Sequence, residues 1–188
     1  MSRELSLLRA DLEKFTATVH DVKRGIEDKI QQWIEFDSAN DRLQHWLTDT
    51  EMSLKTYTPK ATLEEKIDQL NKYQDLCKRI DNHENDLSSV IALGEALDQA
   101  ILANLKKTEN DVDKLTDEFS DLIENCNDTR ITMNLQQMTS RFQSVQSTAK
   151  ELVKKCEQAV SDHSAYQKKY NQCMDWLKTA QYKFEECK

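Results

Sequence analysis

Histidine, cysteine and acidic side chains are the groups in this 188-residue chain that could carry chemistry, so their spacing is considered first. The four histidines lie far apart, and the one in "HENDL" lacks the second histidine of a metalloprotease helix. The segment "DVDKLTDEFSD" offers the carboxylates of a calcium loop but not its glycine. Two isolated glycines cannot build a phosphate-binding loop. We therefore predict no enzyme activity, no metal site and no cofactor.

The five cysteines are odd in number, widely spaced and free of any CxxC pair. This pattern argues against a disulfide framework and a zinc site, and it fits a reducing, cytoplasmic compartment. Four of them fall on the apolar seams described below, where a thiol behaves as a small hydrophobe. The sequence therefore predicts that Cys77, Cys126, Cys156 and Cys173 are buried and that Cys187 is exposed.

The strongest chemical signal is an acidic cluster between residues 108 and 128. It contains eight carboxylates against one lysine and so carries −7 of the net charge of −8. A negative patch can steer a basic partner, although a solvated face partly neutralised by Arg3, Arg9 and Arg130 is an alternative. The predicted partner-binding residues are Glu109, Asp111, Asp113, Asp117, Glu118, Asp121, Glu124 and Asp128. The same net charge opposes binding to nucleic acid, which needs clustered lysine and arginine.

Three long amphipathic helices must position these groups. Apolar residues recur at alternating steps of three and four from Leu5 to Tyr57, from Leu63 to Cys126 and from Ile131 to Cys187. Such a repeat is typical of helices that bury a narrow apolar seam against one another. The predicted helices cover residues 2–57, 60–125 and 129–188, in one bundle over residues 1–188.

The turns between these helices are predicted at the single proline and at an Asn/Asp cluster. Thr58 can cap the second helix with Pro59 in its first position, and residues 125–129 can supply the second turn. Short connections make neighbouring helices antiparallel, which predicts an all-α, elongated up-down-up three-helix bundle. In this register Trp33, His83 and His163 form one polar layer that protonation of the histidines would weaken. An alternative topology breaks the second helix near residues 104–110, capped by Thr108 or Asn110.

Two segments repeat around tryptophans that lie far apart in the chain, "SANDRLQHWLTDTEMSL" at Trp46 and "YQKKYNQCMDWLKTAQYKF" at Trp176. Phe15 and Phe142 mark a second pair at nearly the same spacing. With "YQDLCKRIDNHENDLSSVIALGEAL" between them, these segments resemble the spectrin-repeat family, which places a tryptophan in the first helix of each three-helix repeat. The spacing is longer than is usual for that family, and the extra length falls around residues 98–128. Phenylalanine substitutions and several cysteines make the chain most similar to the nesprins, with dystrophin-like and plakin-like rods as alternatives.

The resemblance implies a non-catalytic rod and protein-docking segment of a giant cytoskeletal linker. For a nesprin-like parent it implies a place at the cytoplasmic face of the outer nuclear membrane. The implied partners are actin regulators such as a formin, motor subunits and neighbouring spectrin repeats. No apolar run is long enough to cross a bilayer, so we predict no direct membrane contact. A bundle formed within one chain predicts a monomer. The alternative function is a coiled-coil oligomerisation or tethering protein of a trafficking complex, in which the seams pair between chains.

Overall fold

The computed structural model of the protein describes the backbone of residues 2–112 and 129–186, and the side chains of residues 5–103 and 130–186. Its helices are α1 (Ser2–Lys55), α2 (Leu63–Asn82), α3 (Glu84–Val112) and α4 (Thr129–Glu186). Neither described range contains a strand. The predicted all-α fold is confirmed.

Contacts divide the chain into two compact units. Unit 1 is formed by Met1–Trp46 and Asn85–Thr139, and unit 2 by Leu47–Glu84 and Ser140–Lys188. Among the described residues, unit 1 contains segments of α1, α3 and α4, and unit 2 contains α2 with segments of α1 and α4.

The core of unit 1 is closed around a glycine. A Cβ atom added to Gly94 would lie 2.9 Å from Leu135 Cδ1, 2.9 Å from Phe36 Cε2 and 3.3 Å from Ile131 Cγ2. The lack of a side chain thus lets α3 approach both α1 and α4. The other buried apolar residues of this unit are Leu43, Leu87, Val90, Leu97 and Met138.

In the core of unit 2, α2 runs antiparallel to α4. Lys66 lies beside His163, whereas Asp81 pairs with Gln146, so the residue numbers run in opposite directions. The buried apolar side chains come from the end of α1, from α2 and from α4. They are Leu47, Leu54, Tyr73, Leu76, Ile80, Phe142, Val145, Ala149, Leu152 and Cys156.

Helix α2 starts later than the sequence predicts. Thr62 is its N-cap, and Thr62 and Glu65 form a capping box in which each side chain accepts a hydrogen bond from the other residue's backbone N–H. The prediction of Thr58 as the cap and Pro59 as the first helical residue is therefore wrong. The reciprocal Thr62–Glu65 pair satisfies two backbone donors, whereas Pro59 lies in the connection after α1.

The predicted second helix is divided at His83 rather than near residues 104–110. His83 caps the end of α2 through its backbone N–H, and α3 begins at the next residue. Helix α3 then runs without interruption to Val112, so the alternative topology with a break at 104–110 is wrong.

Candidate protein interface

One half of α1 exposes a continuous apolar face. The seam that is buried from Phe36 onward continues back through the helix at the same spacing, but there its side chains are exposed. This α1 face consists of Leu5, Leu8, Leu12, Phe15, Val19, Val22, Ile26 and Trp33. The prediction that the first seam is buried along its whole length is therefore wrong for residues 5–34.

Trp33 marks the boundary between the exposed and the buried parts of α1. Its ring meets Phe36 edge to face at 6.3 Å between centroids, and Phe36 belongs to the core of unit 1. Trp33 itself is 39% exposed, against 65% for Leu12 and 3% for Phe36. The core of unit 1 thus ends within one turn of α1.

Helix α4 exposes a second apolar face beyond the core of unit 2. The third seam is buried up to Cys156, yet its continuation through Tyr166 and Phe184 is solvent-accessible. This α4 face consists of Tyr166, Tyr170, Cys173, Leu177, Ala180 and Phe184. Trp176, one position before Leu177, is also 68% exposed.

The α4 face matches the buried part of α1 position by position at the spacing that separates Trp46 from Trp176. The equivalent apolar pairs are Phe36 and Tyr166, Leu43 and Cys173, Leu47 and Leu177, and Leu54 and Phe184. Asn40 is equivalent to Tyr170, and Thr50 is equivalent to Ala180. The first set is buried, whereas the second is largely exposed. Residues 166–184 therefore repeat the apolar spacing of α1 residues 36–54 in a largely exposed segment.

Unit 2 shows how the counterpart is covered on one side. Arg141 of α4 donates from Nε to Glu51 Oε1 at 2.9 Å and from Nη2 to Thr48 Oγ1 at 3.1 Å. The side chains of Arg141 and Glu51 are 29% and 31% exposed, so this ion pair is partly shielded from water. Arg141 thus joins α4 to α1 beside the buried Leu47 and Leu54.

The predicted polar layer of Trp33, His83 and His163 does not form. Lys66 Nζ donates to His163 Nδ1 at 3.1 Å, in the first turns of α2. His83 lies at the other end of α2, where Asp81 is level with Gln146. The two histidines are therefore separated by the length of α2, because the antiparallel register pairs residue 66, not residue 83, with 163.

The cysteines differ in burial more than the seam pattern predicts. Cys156 is buried and Cys77 half-buried, whereas Cys173 is exposed, which contradicts the prediction for Cys173. Burial raises the pKa of the Cys156 thiol, and burial with the nearby Asp81 carboxylate raises the pKa of Cys77. Both thiols are thus held in the less reactive protonated form. Cys126 and Cys187 lie outside the described residues.

Among the described side chains, no group of three or more histidine, cysteine or acidic residues is placed to hold a metal ion.

A groove of about 480 Å³ between α2 and α4 is lined by Gln74, Cys77, Lys78, Lys150 and Val153. Within residues 2–112 and 129–186, no helix combines the length and apolar character that crossing a bilayer requires.

The acidic cluster lies outside the described side chains. Glu109 and Asp111 are within the backbone of α3, but their side chains are not described. The remaining predicted partner-binding residues, Asp113, Asp117, Glu118, Asp121, Glu124 and Asp128, are outside the described ranges altogether. Of the arginines in the alternative interpretation, Arg9 is paired with Glu13 on its own helix.

The two faces are candidate interaction surfaces that the seam pattern alone misses. A heptad seam indicates an apolar stripe but does not indicate which helices cover it. The repeated tryptophan is the signal that could have found the α4 face, since a second first-helix segment implies a second set of partner helices.

Comparison with known proteins gives a match to one family and to a curated protein. The sequence profile of the spectrin repeat family matches residues 31–137, so it begins close to the point where α1 becomes buried. The chain is 43% identical over 187 residues to Muscle-specific protein 300 kDa of Drosophila melanogaster, and the match covers 100% of the chain. The chain spans about 1% of the length of that curated relative. No solved structure matches the chain significantly.

Proposed function

We propose that this chain, which belongs to the spectrin-repeat family, is a rod and protein-docking segment of a very large cytoskeletal protein. Spectrin repeats are structural domains without enzymatic activity. The segment acts by holding neighbouring parts of its parent protein at a set distance and by offering its surface to partner proteins. We place this activity in the cytoplasm.

The observation that carries this proposal is the change of burial within a single helix. Helix α1 keeps one apolar seam from Leu5 to Leu54, but among the described side chains this seam is buried only from Phe36 onward. An apolar stripe that continues past its own core is expected to be covered by another element. In a tandem rod, that element is the neighbouring spectrin repeat, which shares the helix.

The same argument applies to α4. Its face at residues 166–184 repeats the pattern of α1 residues 36–54 and supports a role as the first helix of a following repeat. Under this proposal, force passes from one repeat to the next through a continuous helix rather than through a flexible linker.

A longer fragment of the parent protein tests this proposal. If the residues that precede this segment complete a repeat, amide hydrogen exchange in residues 5–34 should slow, because packing against two further helices suppresses local opening. Residues 36–54 provide the internal control, since they are already covered and their exchange should not change. Unchanged exchange in residues 5–34 would contradict the shared-helix arrangement.

We further propose that the parent protein is a nesprin-like linker between the nuclear envelope and actin, and that this segment docks an actin regulator such as a formin. The charge of the acidic cluster supports a basic docking partner. Replacing Asp113, Asp117 and Asp121 by asparagine should reduce capture of such a partner, with the largest loss at low salt. Full binding by the neutralised variant at low salt would contradict a role for the cluster.

The alternative function, a coiled-coil oligomerisation or tethering protein, is favoured by the same exposed α1 face. In that case a second copy would cover Leu5 to Ile34 instead of a neighbouring repeat. The mass in solution separates the two proposals, because the rod segment is expected to remain a monomer of 21.9 kDa. A stable dimer that Leu12→Asp dissociates would support the alternative.

A further inference from the structure

We infer that the α4 face is built for a repeat whose third helix carries an acidic residue where this chain carries Arg141. This inference rests on the proposed function, in which α4 is the first helix of a following repeat. It adds the charge of the residue by which the following repeat would differ from the repeat in this chain.

The template is the contact between α1 and α4 in unit 2. Arg141 donates to Glu51 Oε1 and to Thr48 Oγ1, two acceptors that lie one turn apart on α1. The pair is partly shielded, so the residue at position 141 must match the charge of the helix that it faces.

Beside the α4 face, the positions equivalent to Thr48 and Glu51 carry the opposite charge. In the alignment that places Trp46 on Trp176, Thr48 corresponds to Lys178 and Glu51 to Gln181. The carboxylate acceptor is lost and a cation is gained. An arginine from a covering helix would meet Lys178 without a carboxylate partner, whereas a glutamate would pair with Lys178 and accept from the Gln181 amide.

A second position changes in the same segment. Gln44 donates from Nε2 to Asn134 Oδ1 at 3.2 Å in unit 1. Its equivalent on α4 is Met174, which can neither donate as Gln44 does nor satisfy a buried amide. The residue that covers Met174 is therefore apolar, where this chain has Asn134.

These two positions also exclude one occupant. A second copy of this chain that covered the α4 face as α4 covers α1 would bring its own Arg141 to Lys178 and its own Asn134 to Met174. Both contacts would be mismatched. The α4 face thus accepts the helical fold of a spectrin repeat but selects against self-pairing, which keeps the repeats of a long protein in order.

A tandem protein tests this assignment. In this protein, residues 1–186 are followed directly by residues 57–186 of a second copy. The added unit then consists of residues 166–186 of the first copy, in the place of 36–56, together with the second copy. We expect Arg141→Glu in the second copy alone to raise the melting temperature of the added unit by about 2 to 4 °C. Asn134→Leu in the second copy should raise it further.

The matched control is the same substitution in the single chain. There Arg141→Glu places a carboxylate against Glu51, so the melting temperature should fall instead of rise. A change of opposite sign in the two proteins is the expected result, and it does not follow from helix propensity or general surface charge. A second substitution, Lys178→Glu in the first copy with Arg141 retained in the second, should also raise the melting temperature of the added unit.

Different failures have different meanings. If the added unit folds but is at least as stable with Arg141 as with glutamate, the charge assignment is wrong while the shared-helix proposal stands. If the added unit folds with neither residue, and residues 166–184 gain no protection from amide exchange, both proposals are wrong. A dimer of the single chain that Leu177→Glu dissociates would assign the α4 face to a second copy and overturn the inference.

Discussion

The two halves of α1 have the same apolar spacing and opposite environments. Residues 36–54 bury Phe36, Leu43, Leu47 and Leu54, whereas residues 5–34 expose every large apolar side chain of the seam. The helix does not end between them, since α1 is continuous from Ser2 to Lys55. Periodicity therefore identifies the side of a helix that can be buried, but burial requires partner helices at the same level.

The largest expected effect comes from removing one leucine in each half of α1. Leu47→Ala empties a fully buried site, at 0% exposure, and should lower the free energy of unfolding by about 2 to 5 kcal/mol. Leu12→Ala, at 65% exposure, should change it by less than about 0.5 kcal/mol. Urea unfolding of the two variants measures both values. Equal losses would mean that the first half of α1 is covered in the isolated chain.

The two glycines extend the comparison to the backbone. Gly94 lies among Leu135, Phe36 and Ile131, whereas a Cβ atom at Gly25 would meet no atom within 4 Å. Gly25→Ala should stabilise α1 by up to about 1 kcal/mol through helix propensity. At Gly94 the same gain is outweighed by overpacking of about 1 to 3 kcal/mol, so Gly94→Ala should destabilise the protein by about 1 kcal/mol.

Thermal unfolding of the two alanine variants tests this difference in sign. Measured against Leu135→Ala alone, Gly94→Ala should cost less than it does in the unmodified chain, because the Leu135 Cδ1 atom that the new methyl group meets is gone while the contact with Phe36 Cε2 remains. A stabilising Gly94→Ala would show that α1, α3 and α4 can separate without cost in unit 1.

The smallest expected effect is a loss of stability in alkali that depends on the buried half of α4. Burial raises the pKa of Cys156 in the folded protein above that of the unfolded thiol, which is about 8.5. The contribution of the protonated Cys156 thiol to the free energy of unfolding is therefore fully present below the pKa of the unfolded thiol. It is lost as the pH rises through the pKa of the thiol in the folded protein. We expect Cys156→Val to lessen the fall in the free energy of unfolding between pH 7.5 and 10.

Cys173, which lies on the exposed α4 face, is the matched control in a test of burial by chemical modification. Peptide mapping after brief alkylation of the native chain should find Cys173 modified and Cys156 protected. Rapid modification of Cys156 would contradict its burial in unit 2.

Local signals in the sequence predict most of the secondary structure. The 3–4 spacing of apolar residues predicts the long helices, and the scarcity of glycine and proline excludes a turn-rich fold. The turn near Pro59 is predicted but not its cap, because Thr58 and Thr62 are both competent N-caps. Only Thr62 has glutamate three residues later to complete the capping box.

Long-range register is the part that local signals do not supply. The seam pattern predicts that His83 and His163 meet, yet Lys66 occupies the position beside His163. Shifting one helix by a few turns preserves the apolar seam while it exchanges every polar neighbour, so the seam alone does not determine which polar groups pair. The contacts of Arg141 with Glu51 and Thr48 depend on that register.

Residues close together in the chain are enough to establish that this protein is helical, that each helix has one apolar side and that the segment around Trp46 recurs around Trp176. The packing of the helices establishes something further, namely that the seam is covered at Leu47 and open at Leu12 and Leu177. This difference arises because burial is a property of several helices at one level. A stripe of identical spacing forms a core where two partner helices reach it and remains exposed where they do not.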